Sequence, residues 1–392
     1  MNKEQEYLIK LSAAYLHGEK IRLKEEINYP ELIKESLRQD LFGVAFCAIA
    51  DSANKNEVID KAALARYQAL FTESLYNSNL LMKVYGDLKA ALTGAQIRFV
   101  PVKGVVLRNY YPVAETRSMG DADVLIDAGN RNAAKAALIQ AGFTCESDNG
   151  PEWAYRKNGI RMEVHTSILN ASTGKNNAKQ YFADAIDHAN FSGFEGRFDD
   201  TYHFEFLLTH LAQHFCYYGA GIRMILDLAV MLKACDIDVE RVLKDLDSAG
   251  LGKFAKTMLS VCWKWYGCGC DLGEVTAKAE DFLASHGTFG FTNRNISAVV
   301  ERKDLEVGKT GGTFLKRLRL LFPSYQRMKE IPYIKFIENR PYLTPFAWVY
   351  RFFYNLKHKK AFMMGAVKGL ADKDSEKEAQ KELEFFREIG LS

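Results

Sequence analysis

The sequence lacks a strong excess of charge and lacks any long apolar segment. Its 392 residues contain 52 Lys and Arg against 49 Asp and Glu, for a net charge of +3. A balance this even does not by itself indicate a nucleic-acid binder, so any basic surface for a partner must be local. No uninterrupted apolar run approaches the roughly 20 residues that span a bilayer, and the first residues contain no signal-peptide core.

Cysteine is also scarce. The seven cysteines are an odd number, are spread widely and mostly lie within apolar helical stretches. Such a set is typical of free thiols that pack as small hydrophobic side chains. Together with the missing signal and membrane segments, this pattern leads us to expect a cytoplasmic protein.

Apolar residues, by contrast, are abundant, at 48% of the chain. At this length they predict two or three packed regions. Helical spacing of apolar residues predicts a helical N-terminal region over residues 1–95, a second helical region over 171–300 and a basic, aromatic helical region over 301–392.

Between residues 96 and 170 the signals alternate between strand and helix. The predicted strands are 97–102, 121–126, 153–156 and 160–166, with helices over 104–111 and 130–141. The predicted fold class is therefore α+β, a small mixed-sheet core flanked by N-terminal and C-terminal helical regions.

Three carboxylates share the polar faces of two of these strands. Because strand side chains alternate, Asp121 and Asp123 point to one face, and Glu163 and His165 share a face in the later strand. If the two strands are neighbours, Glu163 comes within about 5 Å of the aspartates. A cluster of this kind needs cations, and hard ions such as Mg²⁺ (or Mn²⁺) that bridge nucleotide phosphates prefer oxygen ligands.

A second feature fits phosphate recognition. Lys103 and Gly104 join the end of a predicted strand to the start of a helix, where free backbone N–H groups and the helix dipole attract anions. Lys103 adds a full charge, and the planar guanidinium of Arg117 is placed to reach the same anion.

These motifs occur in a fixed order: Lys103-Gly104-x-x-Leu107, Tyr110-Tyr111-Pro112, Arg117-Ser118-Met119-Gly120-Asp121-x-Asp123 and Glu163-Val164-His165. The set resembles the uncharacterised bacterial nucleotidyltransferase family within the DNA polymerase β-like superfamily, most strongly over residues 97–168. The resemblance implies Asp121 and Asp123 as metal ligands and Glu163 as the third acid. It also implies Lys103-Gly104 as the phosphate-contacting turn. We expect Gly120 to be a further nucleotide- or phosphate-binding residue. The superfamily more often has Gly-Ser or Gly-Gly at that turn, so Lys103 is a departure.

Five further residues are possible contacts to the nucleotide or the acceptor: His165, His210, His214, Arg223 and Asp227. Ordinary structural roles, such as helix packing, are the alternative interpretation. His210 and His214 are four residues apart on a predicted helix, but no glutamate lies between them, which argues against a zinc-peptidase site.

The segment 314–360 is locally basic, with eleven Lys and Arg against two acids and many aromatic residues. Such a segment can bind nucleic acid or the headgroups of a membrane surface. The alternative, which we favour from sequence, is a helical region whose aromatic residues fill a core and whose charges are solvated.

The leading hypothesis is an enzyme that uses Mg²⁺ to transfer a nucleoside monophosphate from an NTP to an acceptor hydroxyl, with release of pyrophosphate. The acceptor stays open between a small molecule, a sugar, RNA and a protein, and the sequence predicts no oligomeric state. Two alternatives are a non-catalytic nucleotide-binding regulatory protein and an RNA- or membrane-surface-associated protein that uses residues 314–360.

Overall fold

The computed structural model describes residues 1–148, 150–169, 177–274, 276–287, 322–328, 331–358 and 375–391. The chain divides into one unit formed by Met1–Phe291 with Ile389–Leu391 and another formed by Thr292–Glu388 with Ser392. Within the predicted basic segment, residues 314–321, 329–330 and 359–360 lie outside the described residues.

Helices form the N-terminal region, as the sequence predicts. They are α1 (Lys3–His17), α2 (Tyr29–Arg38), α3 (Phe42–Ala50), α4 (Lys55–Val58) and α5 (Lys61–Gly94). Asn2 begins α1 with a capping box that includes Gln5, and the Asp60 carboxylate accepts from two amides at the start of α5. These caps satisfy N–H groups that have no partner within the helix, and so fix where each helix starts.

A seven-stranded mixed sheet lies at the centre of the first unit. Its strands are β1 (Phe99–Val102), β2 (Asp121–Ile126), β3 (Thr144–Ser147), β4 (Glu152–Lys157), β5 (Ile160–His165), β6 (Asn190–Ser192) and β7 (Glu195–Arg197). The order is β3-β4-β5-β2-β1-β7-β6, with β2 antiparallel to β1 and parallel to β5. Asn158 and Gly159, both at positive φ, form the two-residue turn between β4 and β5. This mixed sheet with its flanking helices confirms the α+β class.

Further helices follow the first strands. They are α6 (Gly104–Leu107), α7 (Arg131–Gln140), α8 (Ala178–Tyr181), α9 (Asp200–Gln213), α10 (Ile222–Ala234), α11 (Val239–Ser248), α12 (Gly252–Tyr266) and α13 (Ala277–Ser285). Both α6 and α7 pack against the sheet. The predicted helix 104–111 is only one α-turn followed by a 3₁₀ turn, Arg108–Tyr110. Pro112 explains the early end, because proline disfavours the helical conformation in the residue before it.

One face of the sheet is packed into the core. Ala122, Val124 and Ile126 of β2 are buried together with Leu88 of α5 and Leu138 of α7. Since side chains alternate along a strand, Asp121 and Asp123 project to the opposite face. The apolar face therefore fixes the direction in which the carboxylates point.

The described part of the second unit is helical. It contains the helices Tyr325–Met328, Thr344–His358 and Ser375–Glu388 and the 3₁₀ segments Pro332–Ile337 and Pro341–Leu343. Its small core is formed by Met328, Ile334, Ile337 and Ala347. Among the helices that the structure describes, none combines the length and apolar character needed to cross a bilayer.

Candidate active site

The acidic residues of β2 and β5 lie side by side. The two strands are parallel neighbours, with Asp123 opposite Glu163 and Asp121 opposite Arg161. The ligand-type atoms of Asp123, Glu163 and His165 all lie within 4.8 Å of one another. The strand adjacency on which the sequence prediction depended is thus present, and His165 joins the acids more closely than the sequence suggested.

Cationic side chains neutralise two of these acids. The Lys103 Nζ atom lies 2.7 Å from Asp123 Oδ1, and His165 Nε2 lies 2.8 Å from the same oxygen. Arg161 donates to Glu163 Oε1 at 2.8 Å. Asp123 is buried, and a buried carboxylate is tolerated only when it is paired and hydrogen-bonded in this way.

These contacts shift the pKa values of the clustered residues in different directions. Burial and the charges of Asp123 and Glu163 raise the pKa of Asp121 to about 6. Burial also works to raise the pKa of Asp123, but Lys103 and His165 outweigh it and hold that pKa well below its usual range. Burial alone would lower the pKa of His165, and its hydrogen bonds to the two carboxylates instead raise it to about 9. Asp121 is therefore the carboxylate whose charge is least compensated, and an added cation would stabilise its ionised form.

Lys103 occupies the junction between β1 and α6. Its backbone has φ 54° and ψ −125°, a region that non-glycine residues rarely adopt. Its N–H points to His203 Nε2 at 3.3 Å, and its carbonyl accepts from the amides of Val106 and Leu107. Local strain of this kind is found where surrounding structure holds a functional side chain in place, and here it directs the ammonium to Asp123.

Arg117 is held in a buried ion pair. Its Nε and Nη2 atoms donate to the two carboxylate oxygens of Asp227 at 3.0 and 2.9 Å, and Tyr111 donates its hydroxyl to Asp227 at 2.8 Å. A Cβ atom on Gly104 would lie 2.7 Å from both Arg117 Nη1 and Met119 Sδ. Glycine at position 104 thus permits close packing of the turn against Arg117.

A cavity of about 380 Å³ opens in front of these groups. All of the site residues predicted from the sequence line it: Lys103, Gly104, Arg117, Gly120, Asp121, Asp123, Glu163, His165, His210, His214, Arg223 and Asp227. The volume is within the range of small-molecule and cofactor sites. The structure therefore brings the two halves of the predicted site together around one space.

Two histidines of the cavity wall, His210 and His214, are neutral, unlike His165. Burial lowers the pKa of His214 to about 4 and places the pKa of His210 well below its usual value. His214 Nδ1 lies 3.0 Å from the Gly219 carbonyl, which requires a proton on Nδ1, so its Nε2 accepts. The His210 Nε2 atom, 3.1 Å away, is then the donor. A π-helical turn, His214–Tyr218, begins at the second histidine. This departure from regular helix is frequent at functional sites.

Some residues of the site were not predicted from the sequence. Glu152 of β4 pairs with His165 in the sheet and lines the cavity, and burial and the charge of Glu163 raise its pKa. The predicted strand began one residue later, at Trp153, so Glu152 was missed. Asp40, which binds Arg223 Nη1 at 2.5 Å, comes from the N-terminal helical region and has no sequence signal.

Comparison with known protein families agrees with this geometry. A family model described as an uncharacterised nucleotidyltransferase matches residues 25–267, which is more than half of the chain. A search of curated proteins finds no significant match. The matched range contains the sheet, the acidic cluster and the helices that close the cavity. The chain therefore belongs to this uncharacterised nucleotidyltransferase family, and its membership supports a role in nucleotidyl transfer.

Proposed function

We propose that the protein is a Mg²⁺-dependent (or Mn²⁺-dependent) nucleotidyltransferase of the DNA polymerase β-like superfamily that acts in the cytoplasm. It transfers a nucleoside monophosphate from an NTP to an acceptor hydroxyl and releases pyrophosphate. The observation that carries this proposal is that Asp121, Asp123 and Glu163, from two adjacent parallel strands, line one cavity together with Lys103 at a strand-to-helix turn.

The donor set fits a divalent ion. Asp121, Asp123 and Glu163 would hold it, and oxygen ligands of this kind suit Mg²⁺ and Mn²⁺. Burial and the charges of Asp123 and Glu163 raise the pKa of Asp121, and an added cation would offset these effects. When bound, the metal neutralises charge on the NTP phosphates and lowers the pKa of an attacking hydroxyl.

The chain's own residues then position the reactants. The acceptor oxygen forms a bond to the α-phosphorus, the bond from that phosphorus to the bridging oxygen breaks, and pyrophosphate leaves. Glu163 orients the acceptor hydroxyl or accepts its proton, while Arg161 keeps the Glu163 carboxylate in place. Lys103 stays protonated, and moving its ammonium from Asp123 to the leaving phosphates would supply the charge that pyrophosphate needs.

The opposite wall of the cavity binds the rest of the substrates. His210, His214 and Arg223 are candidate contacts to the base, sugar or acceptor, and the neutral histidines offer hydrogen bonds without adding charge. Arg117 and Asp227 bind each other, so their main contribution is to hold the turn that precedes β2.

A transfer assay with α-labelled NTPs, Mg²⁺ and separate acceptor pools of metabolites, sugars, RNA and protein tests the proposal. We expect Asp121→Asn and Asp123→Asn to lower transfer at least about a hundredfold, because a metal contributes several kcal/mol to charge stabilisation. Asp127→Asn is the matched control, since Asp127 follows the same strand but pairs with Arg98 outside the cavity.

Equal transfer by the aspartate variants and the control would overturn the assignment. Mg²⁺-dependent NTP binding in calorimetry, with no pyrophosphate released in the presence of any acceptor pool, would instead support the non-catalytic regulatory alternative.

A further inference from the structure

Two histidines of the cavity wall form a chain of hydrogen bonds that runs in one direction. Gly219 holds His214 by two contacts: its carbonyl accepts from His214 Nδ1 at 3.0 Å, and its N–H donates to the His214 carbonyl at 2.7 Å. Gly219 adopts φ 99°, a conformation that favours glycine. These contacts hold the His214 ring with its proton on Nδ1, so His214 Nε2 is an acceptor.

The direction of this chain decides which ring nitrogen of His210 accepts. His210 Nε2 donates to His214 Nε2 at 3.1 Å, so the single proton of the neutral His210 ring lies on Nε2. Its Nδ1 atom is therefore an acceptor without a proton. Within the described part of the chain, no donor meets this atom. Since His210 lines the cavity, Nδ1 is left for a molecule that binds there.

His210 lies close to the acidic end of the cavity. Burial is the largest effect that lowers its pKa; the charge of Lys103 lowers the pKa further, and the charge of Asp123 acts in the opposite direction. Because electrostatic effects weaken with distance, His210 is near the groups that would hold the metal and the phosphates. The ribose of the NTP and the hydroxyl of the acceptor are the substrate groups next to a phosphorus atom held there. Both carry hydroxyls, which donate hydrogen bonds.

We propose that His210 Nδ1 accepts a hydrogen bond from a substrate hydroxyl, either on the ribose of the NTP or on the acceptor. His214 is a positioning residue that keeps the proton of His210 on the other ring nitrogen. This inference rests on the proposed function, because it requires that the NTP and the acceptor occupy the cavity. A site with a fixed acceptor rejects an analogue that lacks the donating hydroxyl, since the buried acceptor then has no partner.

Calorimetry of NTP binding tests the ribose as the source of the hydroxyl. ATP, GTP, CTP and UTP are each compared with their 2′-deoxy and 3′-deoxy forms, with Mg²⁺ and without an acceptor. We expect the wild-type chain to bind the form without the contacted hydroxyl about tenfold more weakly, equivalent to about 1.4 kcal/mol. His210→Leu should bind both forms with equal affinity. His210→Asn should recover part of the preference, because the asparagine amide oxygen is as many bonds from Cβ as Nδ1 is in histidine.

Transfer kinetics test the acceptor as the source of the hydroxyl. If the wild-type chain binds the deoxy forms as tightly as the ribonucleotides, His210→Leu and His210→Asn are compared in the transfer assay with the four acceptor pools. The acceptor assignment predicts an unchanged KM for the NTP in both variants. At saturating NTP, the transfer rate should fall about tenfold in His210→Leu and recover in part in His210→Asn.

His214→Leu tests the positioning role. Without His214, the His210 proton can occupy either ring nitrogen, so the preference for the hydroxyl should weaken while the affinity for the analogue without it stays the same. A purely structural effect would change both affinities together. His188→Leu is the matched control, because the His188 side chain is 49% exposed and lies outside the cavity. Circular dichroism and thermal unfolding establish that each variant is folded.

Two results would overturn the inference, and they are distinguishable. If His210→Leu matches the wild-type chain in both assays while Asp121→Asn abolishes transfer, the inference is wrong and the proposed function stands. If the wild-type chain neither binds an NTP nor transfers a nucleotide, the proposed function fails and the inference fails with it.

Discussion

The buried pair of Arg117 and Asp227 offers a test of how the site is held together. Removal of the carboxylate in Asp227→Ala leaves the Arg117 guanidinium buried without its bidentate partner and Tyr111 without its acceptor. Loss of one partner from a buried ion pair costs about 3–5 kcal/mol, and an unsatisfied hydroxyl adds about 1 kcal/mol. We therefore expect Asp227→Ala to lower the free energy of unfolding by about 4–6 kcal/mol.

Urea denaturation of the full chain, followed by fluorescence, measures this loss. The double variant Arg117→Met/Asp227→Leu replaces both charges with apolar side chains, so it recovers most of the stability. A loss below about 1 kcal/mol in Asp227→Ala would contradict this prediction, because the guanidinium would then be compensated elsewhere.

The same variants separate a structural role of Arg117 from phosphate binding. If Arg117 acts only by holding the turn before β2, the stable double variant retains the KM for NTP. If Arg117 also binds phosphate, the double variant is folded but its KM for NTP rises. Arg117→Lys is a third variant for this comparison, because it keeps the positive charge but cannot form the bidentate pair with Asp227.

Three further predictions concern stability. Burial raises the pKa of Glu205 to about 7, so its folded form binds a proton more tightly than its unfolded form. Stability from this residue is therefore present below about pH 4.5 and is lost as the pH rises through 7. Urea titrations should show Glu205→Gln more stable than wild type at pH 8, by about 1–3 kcal/mol, and equal stability would contradict this. Gly104→Ala, which crowds Arg117 and Met119, should cost about 1–3 kcal/mol, whereas Gly129→Ala, with open space around it, should not. The Lys103 backbone angles suit glycine, so Lys103→Gly should exceed Lys103→Ala in stability by about 1 kcal/mol, and the reverse order would exclude strain at this position.

Periodicity predicted which side chains of the candidate site share a strand face, because these residues lie on regular elements. The alternation of Asp121, Ala122 and Asp123 sets which side chains face the core, and this property is local. The adjacency of β2 and β5 is a tertiary property, which alternation within one strand does not predict. The sequence indicated it only through the order of the motifs, which resembles that of a known family. Strands that the sequence did not predict, such as β6 and β7, are only three residues long and contain no run of alternating apolar residues.

Charge pairing was the part that the sequence did not reveal. Lys103 and Arg117 are separated from Asp123 and Asp227 by 20 and 110 residues, and only the folded chain shows which cation meets which acid. The same holds for Asp40 and Arg223, which join the N-terminal helices to α10. Ion pairs of long sequence separation depend on packing and leave no pattern in the chain.

In the proposed mechanism, Asp121, Asp123 and Glu163 form a metal and phosphate site. Anomalous diffraction from crystals soaked with Mn²⁺ and a non-hydrolysable NTP analogue tests this assignment. We predict an anomalous peak at about 2.0–2.2 Å from carboxylate oxygens of Asp121 and Asp123, with the analogue's phosphates beside it and the Lys103 ammonium moved from Asp123 to a phosphate. A peak elsewhere, or an analogue bound with Lys103 still paired to Asp123 and no ion at the carboxylates, would contradict the claim.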